Sequence, residues 1–139
     1  MPADWKPTPA DTPLLRIGGE PVVRAVTGHF YDAMESSEPA LAALHARDES
    51  GRITAEVRDR FALFFIGWLG GPQDYMALHG HPRLRMRHAH VAVDIGMRDA
   101  WMRCMVRALE EANVPDDVRG FLIERLAGVA DFLRNVDER

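Results

Sequence analysis

Residues 79–90 read HGHPRLRMRHAH and hold four of the chain's six histidines together with Arg83, Arg85 and Arg87. Imidazole nitrogens bind transition metals, and guanidinium forks bind carboxylates and phosphates in bidentate fashion. Three chemistries therefore suit the segment: a metal site, a nucleic-acid contact, or the rim of a pocket for an anionic cofactor. The two His-x-His spacings formed by His79, His81, His88 and His90 could chelate zinc or copper. Against that, Cys104 is the lone cysteine and the closest carboxylates are Asp74 and Asp94, so a closed tetrahedral site would lack donors. Read as phosphate contacts, the three arginines would need a wider basic surface with stacking aromatics. The flanks supply neither, and the chain carries a net charge of −4 with a pI near 5.8, which argues against a nucleic-acid partner. The alternative for His79, His81 and His90 is that they only cap helices or face solvent.

A haem would use the same residue types differently. It needs one neutral imidazole for iron, an apolar slot for the macrocycle, and cationic or hydroxyl partners for two propionates. The sequence RMRH at 85–88 offers an imidazole with guanidiniums one and three residues away, and apolar runs around Trp68 and Trp101 offer walls for a slot. Apolar helical faces are usually plain core, so residue types alone leave haem as one option among several.

The elements that would position these groups are helical. Val22, Val23, Val26, Phe30, Tyr31 and Met34 recur at three- and four-residue spacings, as one face of a helix requires. EPALAALHARD predicts a short helix of about two turns, followed by a loop at DESGR. Thr54 and Glu56 mark the start of a further helix whose apolar positions are Val57, Phe61, Phe64, Phe65, Trp68 and Leu69, and Gly70-Gly71-Pro72 stops it. Asp94 is placed to cap a helix bearing Met97, Trp101, Cys104, Met105 and Ala108, which Asn113-Val114-Pro115 ends. The last helix opens after Pro115 with Asp116 and Asp117 complementing its dipole, and carries a stripe through Val118, Phe121, Leu122, Leu126, Val129, Phe132 and Leu133. Only RLRMRHAHVAV alternates like a strand. The fold class is all-α.

The 139 residues, 47% hydrophobic and 27% charged, suit a single globular domain. Residues 1–13 contain four prolines and little to bury, so 1–16 is expected to be a flexible arm and 17–139 the domain. The N-terminus lacks the apolar core of a signal peptide, and the longest apolar run, at 61–71, is too short to span a bilayer. A cytoplasmic protein without membrane partners is expected. One cysteine excludes an intramolecular disulfide.

Four blocks of the sequence resemble the signature of group II (class O) truncated haemoglobins: FY at 30–31, GWLGGPQDY at 67–75, GHPRLRMRH at 80–88 and RDAWMRCM at 98–105. They occur in the family's order and near its spacings, over residues 17–136. The resemblance implies a two-on-two α-helical sandwich around haem b. It implies that His88 is the proximal iron ligand, its second ring nitrogen bonded to a backbone carbonyl, and that Arg87 and Tyr75 hold the propionates. Phe30 and Leu84 would pack the cofactor, while Tyr31 and Trp101 would be donors to a bound ligand.

The chain also departs from the family. His45 stands where relatives have Phe or Tyr against the haem, and three fates are open to it. It hydrogen-bonds Tyr31 or the ligand, it binds iron as a sixth ligand, or it is displaced to the surface. Val57 and Phe61 match the two distal-helix positions facing the ligand, where relatives are often small or polar. His90-Val91 replaces a frequent Pro-Phe. The function implied is binding of O₂ and other small ligands (NO, CO, cyanide, sulfide) by a monomer or homodimer. O₂/NO redox chemistry with an external reductase, as a nitric oxide dioxygenase or a peroxidase, is expected before bulk transport. A haem-based sensor acting through a partner protein and a cofactor-free helical module are the competing readings.

Overall fold

A computed structural model describes residues 5–84, 88 and 93–134. Seven helices organise them: α1 (Pro13–Ile17), α2 (Glu20–Ser37), α3 (Pro39–Ala42), α4 (Ala55–Trp68), α5 (Asp74–His79), α6 (Ile95–Glu111) and α7 (Asp116–Phe132). Among the described residues the only β pairing is two isolated bridges, Thr8–Asp11 and Arg47–Ile53. The local signals do what their chemistry predicts. Thr12, Thr54 and Asp94 accept hydrogen bonds from the backbone N–H three residues on, at Leu15, Val57 and Met97, which satisfies donors that a helix start leaves open. Gly18 closes α1 at φ +117°, where a Cβ would lie 2.9 Å from Val22 Cγ2.

α2 is the centre of the molecule. It packs on both α4 and α6, and α6 packs on α7, giving two helix pairs joined across α2 and α6. The core where they meet holds Val23, Val26, Phe30, Met34, Met105 and Leu109, each at most 1% exposed. The backbones of α4 and α6 hardly approach each other, although both lie against α2. Side chains nevertheless meet between them, with the rings of Phe61 on α4 and Trp101 on α6 6.3 Å apart.

Two features go beyond the local signals. Trp5, in the span expected to be an arm, packs on the helices: its indole lies edge-on against Phe121 at 5.1 Å and donates to Asp11 at 2.9 Å, with the Arg16 guanidinium over the ring. Arg16 also bridges Asp11 and Asp117. The prolines that suggested looseness are outweighed by one aromatic with a docking place on α7, and α1 itself begins inside the span assigned to the arm. The helix expected from EPALAALHARD shrinks to one turn, because Leu44 N and His45 N bond three residues back to Leu41 and Ala42 and the chain turns away. The short α5 had no periodic stripe to announce it.

Among the described residues no helix is long and apolar enough to cross a membrane.

Candidate haem and ligand site

α4 is apolar on two sides. Ala62, Phe65 and Ile66 are buried, toward α2. Val57, Phe61, Phe64 and Trp68, spaced three and four apart, form a second stripe that is only half-buried or exposed. α6 repeats this arrangement, burying Ala100, Cys104 and Met105 while leaving Met97, Trp101 and Met102 half-open. Large apolar side chains with one free face on two helices make walls for a flat apolar body.

Where α2, α4 and α6 meet, the rings of Phe30, Tyr31, Phe61 and Trp101 interlock. Tyr31 lies 5.0 Å from Phe30 and 5.9 Å from Phe61, and Trp101 lies 5.1 Å from Phe30 and 6.3 Å from Phe61. Phe30, expected against the cofactor, is 1% exposed and enclosed by the other three rings, so it stands behind them as support. Tyr31 is buried, yet its hydroxyl bonds to no described residue. A core tyrosine held to a carbonyl is thereby excluded. The Trp101 Nε1–H also has no acceptor among the described residues, whereas the indole of Trp5 does. Burial pushes the Tyr31 phenol far above its ordinary pKa, against a smaller opposing pull from Arg58. The group therefore stays a hydrogen-bond donor at neutral pH.

His45 is half-buried beside Tyr31, with ring centroids 5.6 Å apart, which removes the fate of a displaced surface residue. Its Nδ1 lies 3.0 Å from the Leu41 carbonyl. Burial holds its pKa below the usual value, with the His88 and Arg47 charges adding to the effect and backbone hydrogen bonds opposing it. In the neutral form with the hydrogen on Nδ1, the Nε2 lone pair is an acceptor for the Tyr31 hydroxyl or a ligand for a metal.

His88 uses the same device. Its Nδ1 lies 2.7 Å from the Leu84 carbonyl, the bond to a backbone oxygen that orients a metal-binding imidazole and puts the lone pair on Nε2. His45 and His88 are within electrostatic range of each other. Leu84 is half-buried. Tyr75, on α5, is buried against Phe64 at 5.6 Å and His79 at 5.1 Å, close to the second stripe of α4. Arg87, His90, Val91 and Arg85 lie outside the described residues. Arg60 is a residue the sequence reading passed over. It flanks the Val57–Phe61–Phe64 stripe, is exposed, and makes no ion pair among the described residues. Its signal was its helical phase alone. His81 accepts from Arg83 N at 3.0 Å and shapes the turn before Leu84. No group of three or more metal-binding side chains gathers among the described residues.

The donor set fits a haem: one imidazole oriented by a carbonyl, half-open apolar walls, and a phenol and an indole N–H with no partner among the described residues. Residues 15–135 match the bacterial-like globin family, and the chain belongs to it. More narrowly, it is a two-on-two truncated haemoglobin of group II. It is 31% identical over 120 residues to the group 2 truncated hemoglobin YjbI of Bacillus subtilis, covering 86% of each chain. Among solved structures it is similar to the cold-adapted truncated hemoglobin of Pseudoalteromonas haloplanktis (34% identity, TM-score 0.83, 91% of this chain and 99% of that one). It is also similar to the group II truncated hemoglobin of Bacillus anthracis (31% identity, TM-score 0.82, 97% of each). Family membership brings haem binding, and with it the binding of small ligands at the iron.

Proposed function

We propose that the protein holds haem b on His88 and binds O₂ on the side of Tyr31, Trp101 and His45, for redox chemistry of O₂ and nitric oxide rather than for bulk transport. Ferrous haem supplies an open coordination position and shifts electron density onto the ligand it binds. This chain's residues do the rest. His88 holds the iron through Nε2 while Leu84 fixes the ring. Phe61, Phe64 and Trp101 keep water from the macrocycle's faces. Arg87 and Tyr75 hold the propionates.

Tyr31 and Trp101 donate to the outer atom of the ligand. Preplaced O–H and N–H groups in an apolar cage stabilise negative charge more than the same groups do in water. Ligand release is therefore slow, which suits chemistry better than delivery. Nitric oxide, carbon monoxide, cyanide and sulfide are of a size for the same place. Continued turnover draws electrons from a separate reductase.

The observation that carries this reading is the buried Tyr31 hydroxyl without an acceptor among the described residues. The test is the absorption spectrum of the purified protein, ferric and ferrous, with and without O₂, compared with His88→Gly. Haem bands that change with O₂, and that are lost in His88→Gly but restored by added imidazole, are expected. A His88→Gly protein with an unaltered haem spectrum would refute the assignment.

A further inference from the structure

We propose that Arg58 is a positioning residue for Tyr31: it lies over the phenol ring and sets the direction in which the hydroxyl meets a bound ligand. The inference rests on the reading of Tyr31 as a ligand donor.

Arg58 lies next to Val57 on α4, and its side chain is 21% exposed. All three guanidinium nitrogens donate. Nε donates to the Ile53 carbonyl at 3.0 Å, Nη1 to the Gly28 carbonyl at 3.3 Å and to Asp32 at 2.9 Å, and Nη2 to Glu35 at 3.1 Å. These partners belong to α2 and to the segment leading into α4, so the planar group is locked in position and orientation. Its Cζ stands 5.7 Å from the Tyr31 ring centroid. Phe61, one turn further along α4, meets the same ring edge-on at 5.9 Å. The phenol is therefore gripped from two sides by one turn of α4, with Phe30 and His45 at its other edges.

Ion pairing alone does not account for this residue. Arg52 already faces both carboxylates, at 2.6 Å from Asp32 and 3.2 Å from Glu35. What Arg58 adds is the pair of backbone carbonyls on opposite sides and the flat cation over Tyr31. A lysine ammonium cannot span both carbonyls while lying flat over a ring. The contact is also directional, because a cation over the face of an aromatic ring resists tilting of that ring.

The experiment is a double-mutant cycle on the haem-loaded full chain, reading O₂ dissociation by stopped flow and thermal stability alongside. Arg58→Met is expected to speed dissociation about fivefold in the wild-type background and by less than about twofold in Tyr31→Phe, since contacting residues couple and independent ones add. The infrared C–O stretch of bound carbon monoxide, which reads the field of nearby donors, should shift in Arg58→Met and return partway in Arg58→Lys. Should Arg58→Met fail to fold, the same cycle run with Arg58→Lys keeps the charge but loses the fork, and the acceleration should again require Tyr31. Equal acceleration in both backgrounds, or none in the wild type, overturns the positioning role while leaving Tyr31 as donor. Wild-type dissociation in Tyr31→Phe itself overturns both.

Discussion

Replacing Tyr31 with Phe removes one oxygen atom from the aromatic cluster and leaves the ring contacts with Phe30, Phe61 and His45 in place. The hydroxyl is hydrogen-bonded to no described residue, and burial keeps it protonated, so its hydrogen is available to a bound ligand. A hydrogen bond to a negatively polarised acceptor contributes about 1.5–3 kcal/mol, equivalent to a factor of about 10–150 in dissociation rate. Trp101 remains as a second donor, which places the expected acceleration near the lower end, about tenfold. The assay is displacement of O₂ by excess carbon monoxide in a stopped-flow instrument. Thermal stability should not fall, because the lost group satisfied nothing in the protein. An O₂ dissociation rate within about twofold of wild type would show that the hydroxyl points away from the ligand.

Glu35→Ala should lower stability by about 2 kcal/mol, since it strips Arg58, Arg52 and the Ile53 N–H of a common acceptor; a melting temperature within about 1 °C of wild type would contradict this. Gly71→Ala should cost about 1–3 kcal/mol, because the added Cβ would lie 2.5 Å from Leu14 Cδ2 and 3.0 Å from the Ile66 carbonyl oxygen. The backbone oxygen cannot move aside as the leucine tip can, so unchanged denaturant unfolding would refute the packing at that turn. His45 has a folded-state pKa below its usual 6.5, so below that pH the unfolded chain binds the proton more readily. Its contribution to stability is complete above pH 6.5 and erodes as pH falls toward the lowered value. The melting temperature should therefore drop more steeply between pH 7 and pH 5 in wild type than in His45→Phe, and equal slopes would assign the effect elsewhere.

Local chemistry made most of the fold legible. Thr54 and Asp94 cap helices where their side chains sit just ahead of apolar periodicity, and Pro115 opens α7, because each such signal acts within a few residues of itself. Length and docking were harder to read. His45 lies in a turn and not in a second helical turn, and Trp5 is pinned by Phe121, more than a hundred residues away in sequence. The same division runs through the site. The imidazole of His88 with its carbonyl partner at Leu84 is a four-residue relation. The enclosure of Phe30 is not local, and neither is the lack of an acceptor for Tyr31 or the reach of Arg58 to Gly28 and Ile53.

What separates Tyr31 from an ordinary core tyrosine is therefore a property of its neighbours. A buried hydroxyl normally finds a partner, because leaving it without one costs about 1–3 kcal/mol. Here the neighbours within reach are aromatic edges, a guanidinium that only donates, and an imidazole whose Nδ1 already engages Leu41. Arg58 cannot accept the phenol's hydrogen, because guanidinium nitrogens carry no lone pair for it. Among the rings packed on Tyr31, only His45 carries a nitrogen lone pair, on Nε2, that could. If Nε2 takes up that hydrogen, it competes with an incoming ligand for a single O–H and weakens the ligand's hold. It also follows that His45→Phe, which removes the competitor while keeping a ring beside Tyr31, should slow O₂ dissociation where Tyr31→Phe speeds it. If both substitutions moved the rate in the same direction, Tyr31 and His45 would be acting as two donors and not as donor and acceptor.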